Sequence, residues 1–177
     1  MKFPTYLLVT FILSSAASAT VASETAANSA EAKNFVKLMN AERTLNVGKV
    51  LPPGILVADR DGKQVDLRSA MHGPVTLLKL NPGCPPCTDV FKYADSHAKE
   101  KQGASIAVLV VEDKGSKPYT SADGGLGVYT TASKLDDSFL AGEITPSVFF
   151  FDKNLRLVER RAGLTTPETM LRFPTSP

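Results

Sequence analysis

The only two cysteines of this 177-residue chain are separated by two prolines, in the stretch Cys84-Pro85-Pro86-Cys87. The stretch follows a mainly apolar run, residues 75–80, and precedes a segment of helical periodicity. A C-x-x-C pair at the start of a helix that follows a buried strand is typical of a dithiol that cycles with a disulfide. The chemistry to be expected is therefore thiol–disulfide exchange.

The predicted helix gives the two cysteines different surroundings. One face of the segment is apolar and consists of Cys87, Val90, Phe91, Ala94 and Ala98. The opposite face is charged. Cys84 then lies at the helix N-terminus, where free N–H groups and the helix dipole favour a thiolate and lower its pKa, which makes it the attacking nucleophile. Pro85 and Pro86 have no N–H to offer its sulfur, so the pKa is expected to be lowered moderately, as in a reductant. Cys87 is expected to face the core.

The N-terminal residues have the pattern of a secretory signal. Lys2 precedes an apolar run, and the small residues Ala17-Ser18-Ala19 follow it. The run is short for a membrane span, which favours cleavage and export to the periplasm over a membrane anchor. The predicted organisation is a signal peptide at 1–19, a helical or flexible segment at 20–50, and one domain at 51–177. A net charge of +2 gives no indication of nucleic-acid binding.

The remaining patterns predict alternating strands and helices. The apolar run 105–111 has no polar face, as in a central strand of a parallel sheet, and with the preceding strand and helix it forms a βαβ unit. The other expected elements are a helix at 24–46, a hairpin around Asp61-Gly62, a loop at 112–128, a short helix at 133–141, antiparallel strands at 148–151 and 155–159, and a final helix with Thr166 as N-cap.

With the cysteine motif, Thr145-Pro146 before an apolar strand, and the Asp-Gly hairpin, the chain resembles the thioredoxin superfamily from about Leu51 to Phe173. Within it, the chain is most similar to the exported TlpA/ResA/DsbE-type proteins. The resemblance implies an α/β, three-layer fold with a central mixed β-sheet flanked by helices and an N-terminal β-hairpin extension. It also implies that Cys84 is the nucleophile, that Cys87 is the resolving cysteine, and that Pro146 is a cis-proline against the disulfide. Thr145 and Gly83 would bind substrate.

Three positions depart from that family. Gly83 replaces the usual Trp, Val90 replaces a frequent Glu, and Leu78 occupies a strand position that is polar in many relatives. Without a carboxylate at 90, the resolving thiol lacks a buried proton acceptor, because Asp89 is expected to point outward. These features bring the motif closer to MauD-like relatives.

The predicted function is that of a thiol–disulfide oxidoreductase of the bacterial cell envelope, acting more as reductant than as oxidant. Its partners would be proteins with cysteines or disulfides and an upstream redox partner, which could be membrane-bound; no cofactor is predicted. The alternative is a copper-handling module in which the same two thiolates bind a soft ion. For zinc, only His72 and His97 could add nitrogen ligands, and the sequence predicts a loop position for the first and a helix surface for the second. A peroxidase would need a Thr or Ser near the nucleophile, where this chain has Asn81 and Pro82.

Overall fold

The computed structural model describes residues 17–98, 105–111, 119–121, 125–131, 139–163 and 166–174. These residues form four helices and seven strands. In chain order they are α1 (Ala17–Thr44), β1 (Leu56–Ala58), β2 (Gln64–Asp66), α2 (Leu67–Ala70), β3 (Val75–Leu80), α3 (Pro85–His97), β4 (Ser105–Val111), β5 (Gly127–Thr131), β6 (Ser147–Phe151), β7 (Leu157–Ala162) and α4 (Pro167–Leu171).

The strands form one mixed sheet in the order β2-β1-β5-β4-β3-β6-β7. β3, β4 and β5 are parallel, whereas β6 is antiparallel to β3 and β7 is antiparallel to β6. The hairpin β1–β2 extends the sheet beyond β5. This arrangement confirms the predicted α/β class, the mixed sheet and the hairpin extension.

The side chains of the central strands alternate between two apolar layers. All six residues of β3 are buried, since the sheet is covered on both faces. Leu78 and Leu80 pack with the inner faces of α3 and α4, whereas Val75 and Leu77 pack on the opposite face. The first layer contains Cys87, so β3 and α3 together fix the position of the cysteine motif.

The two predicted turns between antiparallel strands are present, one between β1 and β2 and the other between β6 and β7. An aspartate stabilises each of them. Asp59 Oδ1 accepts the backbone N–H groups of Asp61 and Lys63, and Gly62 has a positive φ of 78°. Asp152 Oδ1 likewise accepts from Asn154 and Arg156. In each turn, the aspartate side chain thus accepts backbone N–H groups of the turn residues.

The predicted loop at 112–128 is wrong at its C-terminal end. Gly127 and Val128 begin β5, which pairs in parallel with β4. Residues 127–131 include β-branched and aromatic side chains, which favour a strand, but several glycines precede them and favour a loop. The rest of that loop lies largely outside the described residues, as does most of the predicted helix at 133–141. Helix α2 was not predicted from the sequence.

Helix α1 agrees with the helix expected at 24–46, although it begins earlier. The chain divides into two compact units between Lys37 and Leu38. Two of the apolar residues of α1 are exposed, Phe35 at 43% and Leu38 at 37%, whereas Glu42 in the last turns is 4% exposed. Among residues 31–44 of this helix, the buried side chain is therefore a charged one.

Candidate functional site

The two cysteines form a disulfide across the first turn of α3. Cys84 is the N-cap, with extended backbone angles, and Pro85 and Pro86 follow at the first two helical positions. The Cα atoms of Cys84 and Cys87 are 5.3 Å apart, within the ordinary range for a disulfide. The Cys87 N–H donates to the Cys84 carbonyl at 3.0 Å, so the turn that joins them is itself hydrogen-bonded.

The two sulfurs differ in access to solvent. Cys84 is partly exposed, whereas Cys87 is completely buried beside Val90 and Phe91 of the same helix. Val90 is 2% exposed and Asp89 is exposed, as the helical periodicity predicted. Only Cys84 can therefore be approached directly by a macromolecular disulfide.

The loop before Cys84 is held by backbone and side-chain hydrogen bonds. Asn81 Oδ1 accepts the Gly83 N–H at 2.7 Å, and the Asn81 carbonyl accepts the Cys84 N–H at 3.1 Å. Tyr119 donates its hydroxyl to the same carbonyl at 3.2 Å, and its ring stacks on Phe91 at 4.6 Å. Gly83 is exposed next to Cys84. Tyr119 was not singled out from the sequence, because it lies in a glycine-rich stretch with no periodicity.

The segment around Pro146 lies opposite Cys84. The Thr145–Pro146 peptide bond is cis, and Pro146 is buried. Cys84 Sγ lies 3.7 Å from the Thr145 carbonyl oxygen. In the disulfide the sulfur carries no proton, so this contact becomes an S–H···O hydrogen bond only in the reduced protein. The Pro146 carbonyl accepts the Gly163 N–H at 3.2 Å.

Three buried charged residues near this segment were missed from the sequence. Lys79, Glu42 and Arg160 are 2%, 4% and 2% exposed. Arg160 Nη2 and Glu42 Oε2 form an ion pair at 2.6 Å, and the guanidinium lies 4.8 Å from the centre of the Phe149 ring. Burial lowers the pKa of Arg160, and the charge of Glu42 opposes this shift. No local pattern could have indicated the pair, because its members are 118 residues apart.

The histidines lie away from the cysteines. His72 is exposed in the loop before β3, at the opposite end of that strand from Cys84. His97 ends α3, three turns beyond Cys87, and its ring stacks on Tyr93 at 4.1 Å. Within the described ranges, no group of three or more His, Cys, Asp or Glu residues is arranged to bind a metal ion. Reduction of the disulfide would leave Cys84 and Cys87 as two soft sulfur donors.

Solved structures with a similar fold are known, although a scan against protein-family models and a search of curated proteins gave no match. The thioredoxin domain of a thiol-disulfide oxidoreductase from Bacteroides vulgatus is 17% identical, with a TM-score of 0.50 over 68% of this chain and 91% of that one. A secreted thiol-disulfide isomerase from Corynebacterium glutamicum is 18% identical, with a TM-score of 0.50 over 68% and 80%. Peroxiredoxin Q from Xanthomonas campestris is 14% identical, with a TM-score of 0.55 over 68% and 89%. The chain therefore has a thioredoxin-like fold.

Proposed function

We propose that the chain is a thiol–disulfide oxidoreductase that exchanges disulfides with protein substrates, more as reductant than as oxidant. The observation that carries the proposal is the asymmetry of the Cys84–Cys87 pair. An accessible sulfur at a helix N-terminus is bonded to a buried one, and Thr145 lies opposite the accessible sulfur. A purely structural disulfide would add little, because cross-linking stabilises less as the closed loop shortens and this one encloses two residues.

In the proposed reaction, the Cys84 thiolate attacks one sulfur of a substrate disulfide. The substrate S–S bond breaks, a mixed disulfide with Cys84 forms, and one substrate sulfur leaves as a thiolate. Cys87 then gives its proton to the released substrate thiolate and attacks the Cys84 sulfur. The mixed disulfide breaks, the disulfide of the protein forms again, and the second substrate sulfur leaves as a thiolate. A reduced partner protein must then supply two electrons to regenerate the dithiol.

The N-terminus of helix α3 favours negative charge on Cys84 during both steps. The two prolines limit this effect, since neither Pro85 nor Pro86 can donate a hydrogen bond to the sulfur. Pro146 also has no N–H, so it leaves the sulfur open to a substrate. The exposed Gly83 leaves room beside Cys84 for a substrate chain, and the backbone at Thr145 can pair with it in an extended conformation.

The test of this function is mixed-disulfide trapping with Cys87→Ala. Without the resolving thiol, substrates should stay covalently attached to Cys84 and appear on non-reducing gels as adducts that a reductant removes. Cys84→Ala is the matched control and should form none. The same adducts on Cys84→Ala would contradict the assigned roles, and stoichiometric copper in the wild type as purified, without adducts on Cys87→Ala, would favour the metal-binding alternative.

We also propose that residues 1–19 are removed on export to the periplasm. The signal-like composition of residues 1–19 supports this proposal. In the part of the chain that the structure describes, no helix is both long and apolar enough to cross a membrane. N-terminal sequencing of the protein from a periplasmic extract should begin at Thr20. Recovery of the intact chain in the membrane fraction would contradict it.

A further inference from the structure

The backbone that leads to Pro146 is held from two sides by buried charged side chains. Lys79 Nζ donates to the carbonyl of Gly142 at 2.6 Å and to that of Leu140 at 3.4 Å. Glu42 Oε1 accepts the N–H groups of Glu143 at 2.6 Å and Ile144 at 3.1 Å. Two carbonyls and two N–H groups of one short segment are thus bound by the protein itself.

The ion pair keeps the Glu42 carboxylate in place. Its second oxygen, Oε2, is bound to Arg160 Nη2, so the carboxylate joins β7 to the segment before Pro146. Within the described part of the chain, Arg160 Nε and Nη1 are buried without a hydrogen-bond partner. Burying a guanidinium with so few partners is costly unless its charge is compensated, and Glu42 compensates it.

Gly142 shows how closely the groups pack. Its φ is +139°, and a Cβ atom there would lie 2.2 Å from Arg160 Nη2 and 2.6 Å from Glu42 Oε2. The ion pair therefore packs against the backbone of Gly142 without room for a side chain. Ser147 adds a further constraint by donating its hydroxyl to the Ile144 carbonyl at 2.6 Å.

We propose that Lys79, Glu42 and Arg160 are positioning residues that fix the segment 140–145 so that the Thr145 backbone faces both Cys84 and an incoming substrate chain. This assignment rests on the function proposed above. The charged groups bind the residues immediately before Thr145 and so restrict the orientation of its backbone. In this orientation the Thr145 carbonyl points toward the Cys84 sulfur. The reaction of a substrate that pairs with this backbone depends on the position of Thr145. The reaction of a small disulfide without a peptide backbone does not.

The test compares two disulfides on pre-reduced protein from which free reductant has been removed. One is a peptide with an internal disulfide and the other is cystamine; each oxidises the protein dithiol and is itself reduced. Lys79→Met and Glu42→Gln should slow the peptide reaction about 10- to 100-fold, because displacing a positioned group by about 1 Å has effects of that size. The reaction with cystamine should change by less than about twofold, since it needs only the Cys84 thiolate.

The matched control is Glu31→Gln, which makes the same chemical change at an exposed position of the same helix. It should leave both rates unchanged. Equal effects of Lys79→Met on the two disulfides, or no effect on either, would overturn the proposal. If the wild type reduces neither disulfide, the proposed function fails instead. Lys79→Met keeps an unbranched side chain of similar size and does not alter either member of the ion pair, so it decides the question if Glu42→Gln does not fold.

Discussion

At the scale of single residues, the site depends on a difference between two chemically identical side chains. Cys84 and Cys87 are three positions apart, yet one is partly exposed at the helix N-cap and the other is completely enclosed. The helical repeat of 3.6 residues causes this difference, because it turns Cys87 toward the layer that contains Val90. We expect exchange with a substrate to begin at Cys84 because it is the accessible sulfur.

We therefore predict that Cys84 is alkylated first in the reduced protein. With limiting iodoacetamide near neutral pH, mass spectrometry of proteolytic fragments should find label on Cys84 at least about tenfold in excess over Cys87, since reaction needs an accessible thiolate. The protein unfolded in urea provides the control, in which both cysteines should be labelled at similar rates. Preferential labelling of Cys87 in the folded protein would contradict the assignment.

A second prediction concerns Gly142, where both the backbone angle and the surrounding atoms exclude a side chain. Gly142→Ala should lower the free energy of unfolding by more than about 3 kcal/mol, because overpacking adds to the cost of a positive φ. Gly54→Ala is the matched control: φ is +88° there, but apart from its chain neighbours nothing lies within 4 Å of the added Cβ, so a loss of only about 1–2 kcal/mol is expected. Equal losses in chemical denaturation would show that the contact with Arg160 is unimportant.

At the scale of elements, short segments depend on their caps. The four-residue helix α2 has Asp66 as N-cap, and the same carboxylate accepts the Gly54 N–H, so it ties the helix to the chain before β1. The hydrogen bond from Gly54 lowers the pKa of Asp66 most; burial opposes the shift, and the Ser69 N–H adds to the lowering. Thr166 caps α4 in the same manner, through the Thr169 N–H.

The lowered pKa predicts a pH-dependent contribution of Asp66 to stability. Because the pKa is lower in the folded than in the unfolded protein, the stabilisation is present above the unfolded value of about 3.9 and is lost as pH falls through the folded value. Asp66→Asn should therefore unfold at lower urea concentration than the wild type at pH 7, and the gap should close below about pH 4. A gap that stays constant from pH 7 to pH 3 would contradict this account.

At the scale of the whole molecule, a compact unit extends from Leu38 to the C-terminus, so it begins before the domain predicted at residue 51. Residues 38–50 contribute Glu42 to the buried ion pair. Gly48 and Lys49 add backbone hydrogen bonds with Leu157. These contacts are long-range, so the segment can contribute to the core although its composition resembles that of a linker.

Truncation tests this contribution. A chain that starts at Leu51 should be less stable than one that starts at Leu38 by more than about 3 kcal/mol, because Arg160 is left buried without its counter-charge. Arg160→Met in the shorter chain should recover part of the loss. Equal denaturation midpoints for the two chains would mean that the domain begins at residue 51.

The sequence predicted those features whose cause is local. The cysteine motif, the Asp-Gly hairpin and the apolar strands follow from spacing and residue type over a few positions. Strand β5 was missed because its β-branched and aromatic run is short and follows several glycines, and because its partner β4 is not adjacent to it in sequence. Lys79 looked like an ordinary polar residue in a strand, and its acceptors, the carbonyls of Leu140 and Gly142, lie more than 60 positions away. Such partners cannot be read from a single sequence.

Side chains of β3 alternate between the two faces of the sheet, and this alternation limits how the length of the strand can differ among homologues. Leu78 and Leu80 face the layer of the disulfide, whereas Lys79 reaches the carbonyls on the other face. Because side chains alternate with a period of two, deleting or inserting one residue between Val75 and Lys79 would exchange the two faces and bring an ammonium group under the cysteines. Substitutions in β3 can be compensated one at a time by neighbouring side chains. An insertion or deletion of an odd number of residues would need a second one within the same six residues to restore the alternation. Among homologues, the strand should therefore vary in composition but not in length.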